Sequence, residues 1–103
     1  MTQVSFNGYD DQQLTVSSSA LRLTPPTGTT PRHALIYVGS NPIRWLGGLT
    51  NSTTPTAAIG IYVAAGAYIE WTDPQVDYWG LILNAQFIRA TAADAILDIL
   101  YLS

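Results

Sequence analysis

No part of this chain limits its possible folds more than residues 43–71. They read as a strand end, a loop of glycine, threonine and proline, and two strands joined by Ala65-Gly66. The second strand alternates cleanly. Ala67, Ile69 and Trp71 fall on one side and Tyr68, Glu70 and Thr72 on the other, the two-residue period of a half-buried strand. Nothing in this stretch is catalytic chemistry, and it reads as scaffold.

The rest of the chain repeats the pattern. Residues 1–12 are polar with no sustained period and read as an N-terminal arm, leaving 13–103 as one domain. Short strands are expected over 13–17 and 20–24, separated by serines. Three prolines and a glycine between Thr24 and Pro31 then impose an irregular loop, because proline donates no ladder bond and restricts the residue before it. Residues 33–39 alternate with both sides apolar, as an inner strand of a two-sheet structure does. Short strands follow at 43–46, 58–63 and 67–72, the last two as a hairpin. Asp73-Pro74 makes a turn, and 81–90 reads as a strand with Leu83, Ala85 and Phe87 on one face and Ile82, Asn84, Gln86 and Ile88 on the other.

The last segment supports two local readings. Thr91 with Asp94 resembles a helix cap, and Ala93, Ile96, Leu97 and Leu100 fall at helical spacing. With period two, Ala95, Leu97, Ile99 and Tyr101 share a face instead. A final strand completes a sheet more economically than a lone helix. The expectation is therefore all-β: a single-domain antiparallel β-sandwich, jelly-roll-like, of about seven to eight short strands.

Composition bounds the function. At 103 residues one core is possible, and 48% of residues are hydrophobic while only 11% are charged, against about 25% in an average globular chain. So few charges cannot cover the outside, and some apolar surface is expected to meet another subunit. The four basic residues are scattered arginines and there is no lysine, which argues against nucleic acid and against a membrane surface. No apolar run approaches the ~20 residues of a membrane span. Without cysteine there are neither disulfides nor thiolate sites. The first residues lack a basic segment and an apolar core, so the product is expected to stay in the cytoplasm where it is made. Asn51-Ser52-Thr53 matches a glycosylation acceptor but carries little weight without secretion.

The candidate chemical groups are sparse. His33, the one histidine, would need an oriented nucleophile or further ligands to do chemistry, so the plainer reading is a strand-edge residue. Glu70, Asp73 and Asp77 could pair as glycosidase carboxylates or cage a calcium ion, yet solvated loop charges suffice. Tyr68, Trp71, Tyr78 and Trp79 could stack on sugar rings; Trp71 shares a strand face with Ile69 and should be core, and aromatic residues are also enriched at protein interfaces. Arg44 and Arg89 suit a carboxylate on a neighbouring chain or an intrachain pair with Asp94 or Asp98. Interface positions are expected at Phe6, Tyr9, Arg44, Thr50, Asn51, Tyr78 and Trp79, with no catalytic, cofactor or metal residues.

From His33 onward the order of features resembles a known class. Ala34-Leu35-Ile36 is followed by Ile43-Arg44-Trp45, a loop ending Thr54-Pro55-Thr56, Gly60, the Val63-Ala64-Ala65-Gly66 turn and Gln86-Phe87-Ile88-Arg89 before a closing strand. This resembles small virion proteins of tailed bacteriophages, and among them capsid cement or decoration proteins. The resemblance implies a compact β-sandwich, a homotrimer, bound to the major capsid protein on the outside of the capsid and stabilising it without catalysis or cofactor. A tail or head-fibre component and a carbohydrate-binding β-sandwich module are the competing expectations.

Overall fold

The computed structural model describes residues 8–48 and 53–102. Its elements are β1 (Gly8–Val16), β2 (Leu21–Arg22), β3 (His33–Val38), β4 (Ile43–Leu46), β5 (Ile61–Val63), β6 (Tyr68–Trp71), α1 (Trp79–Asn84), β7 (Gln86–Arg89) and β8 (Ala95–Leu102). They form two four-stranded antiparallel sheets, ordered β1-β8-β3-β6 and β2-β7-β4-β5. The pairs β4·β5, β3·β6, β2·β7 and β1·β8 nest one outside the other, as in one long hairpin wound over itself. The expected β-sandwich is therefore present, with jelly-roll connectivity.

The buried rows explain why these residues form strands. In β8, Ala95, Leu97, Ile99 and Tyr101 point inward; β3 contributes Ala34, Ile36 and Val38, and β6 contributes Ile69 and Trp71. The other sheet closes the core with Ile43 and Phe87, and Ile82 of α1 fills the space beside them. One end of the core is aromatic. Trp45 meets Trp71 edge-on at 5.4 Å, Trp71 stacks on Tyr78 at 6.4 Å, and Trp45 stacks on Phe87 at 6.2 Å.

Several expectations need correction. Residues 81–90 are not one strand: α1 occupies Trp79–Asn84 and only Gln86–Arg89 is extended. Leu81, Ile82 and Leu83 are all apolar, so a period-two reading assigned them faces without a real signal. The turn into the helix is set by Asp77, whose Oδ1 accepts the Trp79 N–H at 2.9 Å, and helical bonds follow from Ile82 N–H to Tyr78 O and from Ala85 N–H to Leu81 O. Ile82 is then fully buried while Leu83 is exposed.

Strands 58–63 and 67–72 are not a hairpin either. β5 pairs with β4 and β6 with β3, so the turn at Ala64–Ala67 carries the chain from one sheet to the other. Gly66, at φ +85°, takes the left-handed position of that turn. Strand β1 begins at Gly8, so residues 8–12 of the expected arm belong to β1, where Gly8, Asp11 and Gln12 pair with β8 across a register shift; residues 1–7 lie outside the described residues. The closing segment is the strand expected, β8, which lies between β1 and β3. Its helical signals lose because a strand there satisfies the ladders of both neighbours and buries four side chains on one face.

Candidate functional site

The expected interface residues do not form one patch among the described residues. Phe6, Thr50 and Asn51 lie outside them, as does the acceptor motif at 51–53 in its first two positions, and Tyr9 is described only as part of the β1 backbone. Tyr78 and Trp79 are half-buried against the chain's own core; Tyr78 stacks on Trp71 and meets the His33 ring edge-on at 5.9 Å. Trp71 is 5% exposed, as its strand face requires. The four aromatic residues considered for sugar stacking are thus split, with only Tyr68 standing clear of the core.

Within its own chain Arg44 takes backbone carbonyls rather than Asp94 or Asp98. Its Nε donates to Ala57 O at 2.9 Å and its Nη1 to Gly60 O at 3.1 Å, while its guanidinium carbon lies 5.3 Å from the centre of the Tyr62 ring. These bonds draw loop 53–60 over the outside of the second sheet, where Pro55 is fully buried. Arg89 does take the intrachain carboxylate, Asp94, at 2.6 Å.

The carboxylates near the aromatic loop do not converge. Glu70 is exposed on β6, Asp73 Oδ1 accepts the Gln75 N–H, and Asp77 holds Trp79 N–H and lies 3.5 Å from Arg32. Among the described residues no group of three or more His, Cys, Asp or Glu is placed to hold a metal ion. His33 is buried at the start of β3, with Nε2 3.1 Å from Asp73 O, so it belongs to the loop's anchorage there. No described helix is long and apolar enough to cross a membrane.

Three surface features remain. The first is the edge of β5, which among the described residues pairs only with β4. Ile61 and Tyr62 there are each 53% exposed, and Ile59 on the loop before them 60%, although Ile61 lies opposite the half-buried Trp45 in the ladder. The second is an open groove of about 680 Å³ among loops 18–20, 54–57 and 88–92, lined largely by small side chains, its one cation, Arg89, held by Asp94.

The third is the outer face of the first sheet. Strand register sets two rows across it: Asp11–Leu100–Leu35–Glu70, and Gln13–Asp98–Tyr37–Tyr68. The Tyr37 and Tyr68 rings lie 5.0 Å apart, and Gln13 Nε2 donates to Asp98 Oδ1 at 3.2 Å. The exposure of Tyr68 and Glu70 was readable from alternation in β6. Their meeting with Tyr37, Asp98 and Asp11 was not, because those neighbours come from strands distant in sequence.

No family model, no curated protein and no solved structure matches this chain.

Proposed function

We propose that this is a non-catalytic structural virion protein that binds the outside of a phage capsid and stabilises it, as cement or decoration proteins do, working as a homotrimer. The observation that carries the reading is the free β5 edge. An edge strand with two exposed large apolar side chains, and a third, Ile59, on the loop that leads into it, is a template for another chain, and a protein with so few charges keeps such an edge soluble best by covering it in an assembly. The jelly-roll connectivity supports the virion setting, since that architecture recurs in capsid domains as well as in lectins. The resemblance of the 34–89 feature order to small tailed-phage virion proteins supports it further.

In a trimer with cyclic symmetry each copy offers one patch to the next and a different patch to the previous one. The β5 edge is one such patch. Contact area summed over many copies on a shell, rather than one strong site, then supplies the stabilisation.

The test is quantitative mass spectrometry on purified particles from a host that carries the gene, with heads and tails fractionated. Presence in the head fraction, loss of heat resistance of particles made without the protein, and a solution mass of three 11.1 kDa chains are expected. Recovery with tails alone would move the protein to the fibre reading, and absence from particles would overturn the proposal. The carbohydrate-binding reading is weaker, because Trp71, Tyr78 and Trp79 serve the core end rather than a flat exposed platform.

A further inference from the structure

Charge is segregated between the two sheets. The strand carboxylates, Asp10, Asp11, Glu70 and Asp98, all belong to the first sheet, whose strands hold no lysine or arginine. The strand arginines, Arg22, Arg44 and Arg89, all belong to the second, whose strands hold no carboxylate. Asp11, Glu70 and Asp98 are exposed on the outer face, and none of the three has a cationic partner among the described residues.

We propose that this outer face docks a basic segment of a different protein, with a lysine or arginine side chain lying on the Tyr37–Tyr68 pair between Asp98 and Glu70. Adjacent strands lie about 4.8 Å apart, so Asp98 and the β6 residues stand about 10 Å apart on either side of Tyr37, and a guanidinium or ammonium group seated over the Tyr37–Tyr68 pair has a carboxylate on each side. The two tyrosine rings offer their faces to a cation, and Leu35 and Leu100 beside them cover the aliphatic stem. A depression of about 240 Å³ lies there, lined by Asp11, Leu35, Tyr37, Tyr68, Asp98 and Leu100.

A second copy of this chain is a poor source of the cations. There is no lysine, Arg44 is spent on the carbonyls of Ala57 and Gly60, Arg89 on Asp94, and Arg32 on Asp77. Only Arg22 has neither an ion pair nor a side-chain hydrogen bond among the described residues, one uncommitted cation against three exposed carboxylates. Another protein is the better source of the basic groups. This deepens the capsid reading and rests on it for the partner's setting: the face turned to the shell would be the first sheet, and the shell surface beneath it would be basic.

The experiment titrates the isotope-labelled protein with a hexa-arginine peptide, following amide shifts by NMR. Shifts should centre on Asp11, Tyr37, Tyr68, Glu70 and Asp98. Affinity should fall about tenfold in Asp11→Asn/Glu70→Gln/Asp98→Asn and fall steeply between 50 and 500 mM salt at about the Debye screening expected of exposed pairs. The loop variant Asp73→Asn/Asp77→Asn, which loses similar charge elsewhere, should bind as the native protein does. No shifts, shifts unchanged in the triple variant, or equal loss in the loop variant would overturn the proposal. So would self-association abolished by the triple variant, which would make a second copy the occupant, or an uncharged oligosaccharide moving the tyrosines where the peptide does not. Particle occupancy reads the capsid proposal separately: peptide binding confined to this face stands even if the protein is absent from virions, and its absence sinks the face even if the protein is present on them.

Discussion

Replacing Gln12 by alanine should cost more than removing the hydroxyl of Tyr101 to which it is bonded. Tyr101 is fully buried at the end of β8, and its hydroxyl donates to Gln12 Oε1 at 2.5 Å. Gln12 in turn donates from Nε2 to the Thr24 hydroxyl and accepts the Thr24 N–H at 3.4 Å, tying β1 and β8 to the segment that follows β2. Gln12→Ala strands a buried phenol, a cost of about 1–3 kcal/mol, while Tyr101→Phe leaves behind only an amide oxygen that still accepts the Thr24 N–H, about 0.5–1.5 kcal/mol. The double variant removes both partners and should cost about what Tyr101→Phe costs once the lost glutamine packing is allowed for, so the two effects should not add. Urea denaturation of the four proteins measures this. Additive costs, or Tyr101→Phe as the more damaging change, would refute the reasoning. The same hydroxyl gives a pH signature. Burial is the larger influence and pushes its pKa above the ordinary phenol value of about 10, with the backbone of Thr24 acting weakly the other way. As pH rises past that value, the unfolded chain releases a proton that the folded chain keeps. Unfolding free energy then falls with pH, by at most about 1.4 kcal/mol per unit from this group. Tyr101→Phe should therefore flatten the stability profile between pH 10 and 12 relative to the native protein, and identical slopes would count against the burial argument.

Three further changes probe the frame. Trp71→Ala empties the aromatic end of the core between Trp45, Tyr78 and Phe87 and should cost about 3–5 kcal/mol in thermal or urea unfolding. Arg44→Ala frees the carbonyls of Ala57 and Gly60, so about 1–3 kcal/mol of stability should go and amide exchange over 56–59 should quicken; protection equal to the native protein would show that the loop holds without it. Gly60→Ala should cost roughly 1–3 kcal/mol by melting temperature, since φ is +134° and a Cβ would come within 3.2 Å of Arg44 Cβ and of Trp45 O and 3.3 Å of Pro55 Cβ. On particles, deleting residues 1–7 is a cleaner test of the N-terminal segment than deleting 1–12, because 8–12 belong to β1; reduced occupancy is expected, and unchanged occupancy would remove that segment from the attachment.

The sequence alone was enough to determine which residues alternate. Short runs such as 33–38, 68–71 and 95–102 have apolar side chains at every second position and turn formers between them. That local signal, a consequence of pleat geometry, carried the sandwich and the burial of Trp71, and put Tyr101 on one face with Ala95, Leu97 and Ile99. Where every residue is apolar, as over 81–83, period loses its meaning, and the helix was decided by Asp77, by the need to bring the chain back from β6 to β7, and by the space that Ile82 fills. Pairing was equally beyond local reading. That β5 and β6 part into different sheets, that Arg44 spends itself on loop 53–60, and that Asp11, Asp98, Tyr37, Tyr68 and Glu70 share one face all depend on contacts across tens of residues. Strand period says which side a residue faces, but only the closed ladders of the tertiary structure decide which neighbours share that side with it.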